Sequence, residues 1–203
     1  MAIGVENITL DESRDTLVNV NALGECVPSA RFMGGRERDL LKLSNPVTDQ
    51  AMQELLNCTE SMPMLMPSVV PNTGPFPKAE QQWIGFGEAP HSTTQGTIQA
   101  SAVTLYLALM THECLLLIGA DGPIFIEGPM AQDKQYAQML AAVSDRPVSL
   151  SSSITGTSAG AAMLISPPEK KPDYTRVTVD PSKREQLCHY ATLWKLALKK
   201  HLN

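Results

Sequence analysis

The chain has 203 residues and a formal net charge of −5, and 43% of its residues are hydrophobic while 18% are charged. A chain of this length forms one large domain or two small ones and buries a core without disulfide or metal staples. The acidic balance argues against a general nucleic-acid binder, which normally carries a basic excess.

The first part of the chain predicts a hairpin followed by a glycine loop. Residues 16–28 alternate in polarity on both sides of the turn-forming segment 22–25, which indicates a β-hairpin. Two consecutive glycines, Gly34 and Gly35, predict a loop with a sharp bend. A short helix is expected after this bend, over residues 37–43.

A second helix is expected to begin after its N-cap Thr48 and to end at Leu56. Residues 59–96 then hold six of the 15 prolines, which excludes a helix over most of this segment. We expect an irregular crossover with short strands near 65–70 and 82–85. Such a crossover either approaches a ligand or forms a surface excursion, and the sequence leaves both interpretations open.

From residue 97 onward, helices and strands alternate, which is typical of an α/β fold. The predicted elements are a long helix over 97–118, a strand over 123–127, a helix over 132–143, a strand over 147–150, a helix of small residues over 157–165, a strand over 174–179 and a last helix that begins at Pro181. The last helix is expected to bury the apolar stripe that recurs at helical spacing: Leu187, Tyr190, Ala191, Trp194 and Leu198.

The cysteines and the N-terminal sequence predict the cellular location. The four cysteines form no CxxC pair, which argues against a zinc cluster and favours buried thiols in a reducing compartment. We see no signal-peptide pattern and no run of about 18 apolar residues that would span a bilayer. The sequence therefore predicts a cytoplasmic protein without a membrane partner.

The most informative motif is the strand–turn–helix sequence over residues 124–133. The buried strand runs into Gly128 and a helix start, where backbone N–H groups and the helix dipole suit an anion or a nucleotide. The same pattern occurs at ordinary strand-to-helix turns. Neither a GxGxxG motif nor a Walker lysine motif is present, which excludes the Rossmann and P-loop interpretations.

A second motif lies in the predicted helix of small residues. Gly160, Ala161 and Ala162 carry little side-chain bulk. Another helix or a flat ligand is therefore expected to pack very close to this segment.

A third motif is the charged pair that follows the two glycines. Arg36 and Glu37 either position a substrate beside Gly34 and Gly35 or form an ordinary surface ion pair. The four histidines show no metal-ligand spacing, so no metal site is predicted.

Three stretches, taken together and in order, resemble the C-terminal half of the FGGY carbohydrate kinases, which belong to the sugar kinase, heat-shock protein and actin superfamily. Residues 15–37 are similar to the segment that follows the phosphate loop in the L-fuculokinase-like branch. Residues 126–136 resemble the family's glycine-rich adenosine-binding turn and the next helix, and residues 158–162 resemble its small-residue helix. The resemblance covers nearly the whole chain.

The resemblance implies a fold and a set of nucleotide contacts. The fold class is α/β: an incomplete actin-like ATPase (ribonuclease H-like) domain, with a mixed sheet flanked by helices, over residues 1–203. This domain lacks the family's first strands and its N-terminal sugar domain. The implied nucleotide-binding residues are Gly128, Pro129, Met130 and Asp133, with Gly160 and Ala161 providing close packing. Pro129 departs from the family pattern of consecutive glycines and removes one N–H donor from the turn.

The resemblance also implies a reaction and its ligands. The family transfers a phosphoryl group from ATP, with Mg²⁺, to a sugar hydroxyl. Its general-base aspartate lies in a part that this chain does not match, so no catalytic residue is assigned and the chain alone is expected to be inactive. A complementing N-terminal half is one expected partner.

Two rival interpretations remain open on the sequence. The first is a non-catalytic nucleotide-binding or assembly module, in which a homodimer covers the exposed sheet edge. The second is an unrelated small-molecule-binding α/β domain.

Overall fold

The computed structural model describes residues 8–41, 47–58, 62–85, 93–152, 156–166 and 173–202. The helices are α1 (Gly34–Leu40), α2 (Asp49–Leu56), α3 (Thr93–Leu117), α4 (Lys134–Ser144), α5 (Gly156–Met163) and α6 (Pro181–His201). The strands are β1 (Thr16–Val20), β2 (Cys26–Ala30), β3 (Met64–Met66), β4 (Gln82–Ile84), β5 (Ile124–Ile126), β6 (Val148–Ser151) and β7 (Tyr174–Arg176). Short 3₁₀ helices lie at Glu12–Arg14 and Gly128–Gln132.

The strands of the described residues form three small sheets. β1 and β2 form one antiparallel hairpin, and β3 and β4 form a second antiparallel pair. The third sheet is mixed, because β5 is parallel to β6 while β7 is antiparallel to it. Its register places Phe125 beside Ser149 and Ser149 beside Arg176.

Helix α3 forms the centre of the core. Every residue from 100 to 110 is buried, so the helix is enclosed on all sides and carries no single apolar face. Helices α2 and α4 pack against α3, and α6 packs against α4 and α2. This arrangement places a helical layer beside the mixed sheet, as expected for the α/β class.

Among the described residues, one segment, Gly96–Leu117, reaches the length and mean hydropathy of a membrane span, although polar residues interrupt its apolar sequence. This part of α3 is long and apolar enough to cross a bilayer, but 72% of its most apolar window is buried inside the protein. A central core helix has the same properties, because protein side chains surround it in place of lipid.

Several sequence predictions of local structure are confirmed. The Thr48 hydroxyl accepts a hydrogen bond from the Ala51 N–H at 3.1 Å and caps α2. The Asp180 carboxylate accepts from the Ser182 N–H at 2.9 Å and caps α6. All members of the predicted α6 stripe are buried: Leu187, Tyr190, Ala191, Trp194 and Leu198. The crossover contains a strand at each predicted place, although β3 spans only Met64–Met66 and not residues 65–70.

The predicted glycine bend is wrong. Gly34 and Gly35 begin helix α1, which ends at Leu40 and not at residue 43. The helix starts here because the Met33 carbonyl accepts from the Glu37 N–H at 2.9 Å. The Glu37 side chain is completely buried while Arg36 is exposed, so the two do not form the expected surface pair.

Two burial expectations also need correction. In β5, Ile124 and Ile126 are buried but Phe125 is 55% exposed, because successive side chains of a strand point to opposite faces of the sheet. The four thiols are free, but only Cys114 is buried and Cys26 is exposed on the hairpin.

Candidate functional site

The two predicted nucleotide-binding segments lie at one edge of the mixed sheet. The turn that begins with Gly128 follows β5, and helix α5 follows β6. Since β5 and β6 are parallel, their carboxyl ends meet at the same edge. In open α/β sheets this edge is where ligands bind, in the crevice outside the strand ends.

The turn after β5 is open to an approaching ligand. Gly128 has φ +74°, a left-handed conformation that favours glycine, and a Cβ placed there would meet no atom within 4 Å. Pro129 occupies the first turn of the 3₁₀ helix and is exposed, while Met130 is half-buried. The turn therefore presents backbone, with little side-chain bulk, to the crevice.

Asp133 lies behind the turn and not in the open crevice. Its carboxylate caps α4 by accepting from the Tyr136 N–H at 3.0 Å, and the Thr104 hydroxyl lies 3.4 Å away. The Arg38 guanidinium is 3.5 Å from the second oxygen, and the Asp133 side chain is only 8% exposed. In this arrangement Asp133 fixes the position of the turn from the protein side.

Arg38 links helix α1 to the same turn. Its guanidinium contacts the Asp133 carboxylate and also approaches the Met130 sulfur at 4.0 Å. The sequence did not single out Arg38, because its partners are more than ninety positions away along the chain.

Helix α5 presents an open surface of small residues. Gly160, Ala161 and Ala162 are exposed, and a Cβ on Gly160 would meet nothing within 4 Å. The sequence left open whether another helix or a flat ligand packs against this segment. Within the described part of the chain, no helix packs against Gly160. The face is free for a flat ligand.

The structure adds Tyr174 and Glu127 to this edge. The Tyr174 hydroxyl donates to the Glu127 carboxylate at 2.9 Å, and its ring contacts Phe125 edge-on with centroids 4.9 Å apart. Partial desolvation and the Glu127 carboxylate raise the pKa of Tyr174. No sequence signal indicated this pair, because it depends on the pairing of β7 with β6.

Two of the three substrate-proximal residues predicted from the sequence lie at a cavity beside the turn. Gly34 and Gly35 line a cavity of about 720 Å³ that Met130 and Glu127 also border, whereas Arg36 is not part of its lining. The described residues contain no group of three His, Cys, Asp or Glu side chains that could hold a metal ion.

Comparison with known proteins shows the family. The family of carbohydrate kinase FGGY C-terminal domains matches residues 1–173. No curated protein matches the chain. The L-fuculokinase-like branch stays a prediction.

Solved structures of kinases share the fold. A carbohydrate kinase from Novosphingobium aromaticivorans is 28% identical with a TM-score of 0.76, and the match covers 97% of this chain and 42% of that chain. Xylulose kinase from Rhodospirillum rubrum is 18% identical with a TM-score of 0.57, covering 91% of this chain and 41% of that chain. Plasmodium falciparum glycerol kinase with ADP is 15% identical with a TM-score of 0.55, covering 88% and 39%.

The chain thus spans less than half the length of these kinases. Its small mixed sheet and flanking helices have the actin-like ATPase fold of the sugar kinases it resembles. The chain belongs to the FGGY carbohydrate kinases and corresponds to their C-terminal domain.

Proposed function

We propose that this chain supplies the adenosine-binding part of a kinase that transfers a phosphoryl group from ATP to a sugar hydroxyl. The observation that carries the proposal is the placement of the open Gly128 turn and the exposed α5 helix at one edge of the parallel strands. Family membership supports the reaction class. The related glycerol kinase structure contains ADP, which supports nucleotide binding by this fold.

The residues at this edge suit a nucleoside in distinct ways. Gly128 allows the ligand to approach the backbone closely, and Met130 offers apolar contact beside it. Gly160 and Ala161 form a flat apolar surface on which an adenine ring would lie. Pro129 lacks an N–H, so Gly128 and Met130 carry the backbone N–H groups at the start of the turn.

Mg²⁺ would enter with the phosphates. Proteins usually bind this ion through one or two carboxylates together with substrate phosphates, and the ion keeps several waters. The absence of a three-ligand cluster among the described residues is compatible with such binding.

We propose that the chain needs a complementing N-terminal half for catalysis. Phosphoryl transfer requires the acceptor hydroxyl, its base, the metal ion and the γ-phosphate to be positioned together. Adenosine contacts alone do not provide this geometry. We place the protein in the cytoplasm, where free thiols such as those of the described cysteines stay reduced.

The nucleotide site is tested by calorimetric titration of the wild type and of Gly160→Leu with ATP and Mg²⁺. The substitution adds bulk to the open face, and it should not harm the helix because leucine has a higher helix propensity than glycine. We expect the Kd to rise by about tenfold or more.

Ser158→Leu is the matched control, because Ser158 is also exposed but lies on the opposite side of α5. Its Kd should stay within about threefold of the wild type. Equal effects of the two substitutions, or no binding by the wild-type chain, would contradict the proposed site.

A homo-oligomeric assembly module is the second candidate. The observation that favours it is the exposed apolar surface of β1, where Val18 is 57% and Val20 is 62% exposed. A surface of this kind promotes association. Light scattering that shows only a monomer at high protein concentration would exclude this candidate.

A further inference from the structure

Five polar side chains form a closed ring between helix α1, helix α3 and the start of α4. The Tyr106 hydroxyl donates to the Glu37 carboxylate at 2.7 Å, and the Thr104 hydroxyl donates to the Asp133 carboxylate at 3.4 Å. The Arg38 guanidinium completes the ring, because it lies 3.5 Å from the same Asp133 oxygen. Adjacent positions in α1 and two nearby positions in α3 connect these contacts through the backbone. We call these five residues the polar ring.

The polar ring is almost entirely buried. Glu37, Thr104 and Tyr106 are buried, and so is the Asp133 side chain, whereas Arg38 reaches solvent. Buried polar groups that satisfy one another rigidify their surroundings, and the loss of one partner leaves another group unpaired in a low dielectric. Removal of one contact is therefore expected to loosen the whole ring.

On one side, the polar ring holds the turn that follows β5. The Asp133 N–H donates to the Met130 carbonyl at 3.2 Å, and the Arg38 guanidinium approaches the Met130 sulfur at 4.0 Å. The Asp133 carboxylate also accepts from the Tyr136 N–H at 3.0 Å, which fixes the start of α4. Among the described residues, no atom beyond the chain neighbours of Gly128 lies within 4 Å of a Cβ built there. A displacement of Asp133 would therefore shift the turn, because its open side at Gly128 offers nothing to oppose the movement.

On the other side, the polar ring is anchored to the crossover through Glu37. One carboxylate oxygen of Glu37 accepts from Tyr106, and the other accepts from the Val70 N–H at 3.1 Å. Both oxygens are engaged, so the carboxylate is held in one orientation. The Glu37 N–H also donates to the Met33 carbonyl in the first turn of α1. Glu37 therefore fixes α1 directly beside Arg38.

We propose that Glu37 and Tyr106 are positioning residues for the nucleotide site, and that they act on the turn after β5 through Arg38 and Asp133. Both side chains are completely buried, so they act through other residues and do not touch a ligand. A misplacement of about 1 Å caused by a distant substitution is enough to cost much of a site's function. This inference rests on the proposed function, because it takes the turn as part of the nucleotide site.

Tyr106→Phe and Tyr190→Phe form a matched pair. Each substitution removes one buried hydroxyl and its hydrogen bond, but Tyr190 donates to the Pro63 carbonyl and lies outside the polar ring. Calorimetric titration with ADP and Mg²⁺ should show a Kd at least about fivefold higher for Tyr106→Phe than for the wild type. Tyr190→Phe should bind within about twofold of the wild type, although it also loses stability. Equal affinities of the two variants would overturn the proposal.

Arg38→Met opens the polar ring at its exposed member, where substitutions rarely prevent folding. Arg184→Met is the control, because Arg184 pairs with Asp145 at 3.0 Å and its side chain is 38% exposed, close to the 41% of Arg38. The Kd for ADP should rise at least about fivefold in Arg38→Met and no more than about twofold in Arg184→Met. When Arg38→Met is combined with Tyr106→Phe, the Kd should stay within about twofold of the larger single effect, because either substitution already opens the ring. Multiplication of the two single effects would show that the residues act separately and would overturn the proposal.

Hydrogen exchange without nucleotide separates this inference from the proposed function. The Tyr136 amide, which donates to the Asp133 carboxylate, should exchange at least about threefold faster in Tyr106→Phe than in the wild type. The same amide should change little in Tyr190→Phe. An unchanged Tyr136 amide in Tyr106→Phe would overturn the proposal whether or not ADP binds. A faster amide, together with no ADP binding by the wild type, would contradict the nucleotide site and support the role of the polar ring in positioning the turn.

Discussion

At the scale of single residues, Glu37 is the most consequential buried group. Its carboxylate accepts from the Tyr106 hydroxyl at 2.7 Å and from the Val70 N–H at 3.1 Å, so one side chain joins α1, α3 and the crossover. Burial raises the pKa of Glu37, and the hydrogen bonds from Tyr106 and the Val70 backbone partly oppose this. The sequence left open a substrate-positioning role or a surface ion pair for Glu37, and it did not show the buried partners because they are distant along the chain.

Glu37→Gln should change the pH dependence of stability. Because the pKa of Glu37 is raised above its usual value of 4.5, the folded wild type retains its proton to higher pH than the unfolded chain. The contribution of Glu37 to the free energy of unfolding is therefore fully present below pH 4.5, and it is lost as the pH rises through the folded-state pKa. Urea unfolding at several pH values should show the Gln variant gaining stability relative to wild type over this range.

Glu37→Leu is the contrasting variant, because it leaves the Tyr106 hydroxyl and the Val70 N–H without an acceptor. It should be destabilised by about 1–3 kcal/mol for each stranded group. A difference between the wild type and the Gln variant that does not vary with pH would contradict the assignment.

Two glycines with similar backbone conformations should respond differently to alanine. Gly85 has φ +78°, and an added Cβ would lie 2.5 Å from the Met62 carbonyl oxygen, whereas Gly24 has φ +80° and open space around it. In both alanine variants the residue must keep a left-handed backbone conformation, which costs about 1–2 kcal/mol. Thermal unfolding should show a larger loss for Gly85→Ala, and equal losses would contradict the clash.

At the scale of elements, helix α6 is held to the crossover by two buried hydrogen bonds. The Tyr190 hydroxyl donates to the Pro63 carbonyl at 3.0 Å, and the Trp194 indole N–H donates to the Leu65 carbonyl at 2.8 Å. The helical spacing of the apolar residues predicted which face of α6 is buried. It did not predict the partner, because packing against β3 depends on the path of an irregular segment.

Tyr190→Phe should lower the free energy of unfolding by about 1–2 kcal/mol, since it strands the Pro63 carbonyl and adds no compensating contact. Leu196→Ala on the same helix is the control. Leu196 is 56% exposed, so its truncation should change stability by no more than about 0.5 kcal/mol. Denaturant titration of the two variants measures both effects, and equal stabilities would mean that the buried hydrogen bond contributes nothing.

At the scale of the whole molecule, the sequence predicted the element order more fully than the pairing between elements. The hydrophobic periodicity of the sequence identified helices and strands, and the N-caps Thr48 and Asp180 marked the starts of two helices. These signals are local in sequence. The order of the 126–136 and 158–162 stretches indicated the family. The cap role of Asp133 and the Tyr174–Glu127 pair depend on residues brought together by the tertiary fold, so local patterns did not show them.

The chain alone should show no sugar-dependent release of ADP from ATP. The reason is that the proposed site contacts adenosine but provides no base for the acceptor hydroxyl. A coupled assay with several sugars measures this, and addition of a complementing half should produce activity. Appreciable turnover by the pure chain would show that it contains a complete active site.

The most direct measurement of the central claim is the change in amide chemical shifts when the isotope-labelled chain binds ADP with Mg²⁺. The account predicts shift changes concentrated in the turn at residues 128–132 and in the small-residue helix at 160–162, at the carboxyl edge of β5 and β6. Unchanged spectra, or changes confined to the hairpin and its cavity, would contradict an adenosine site at this edge.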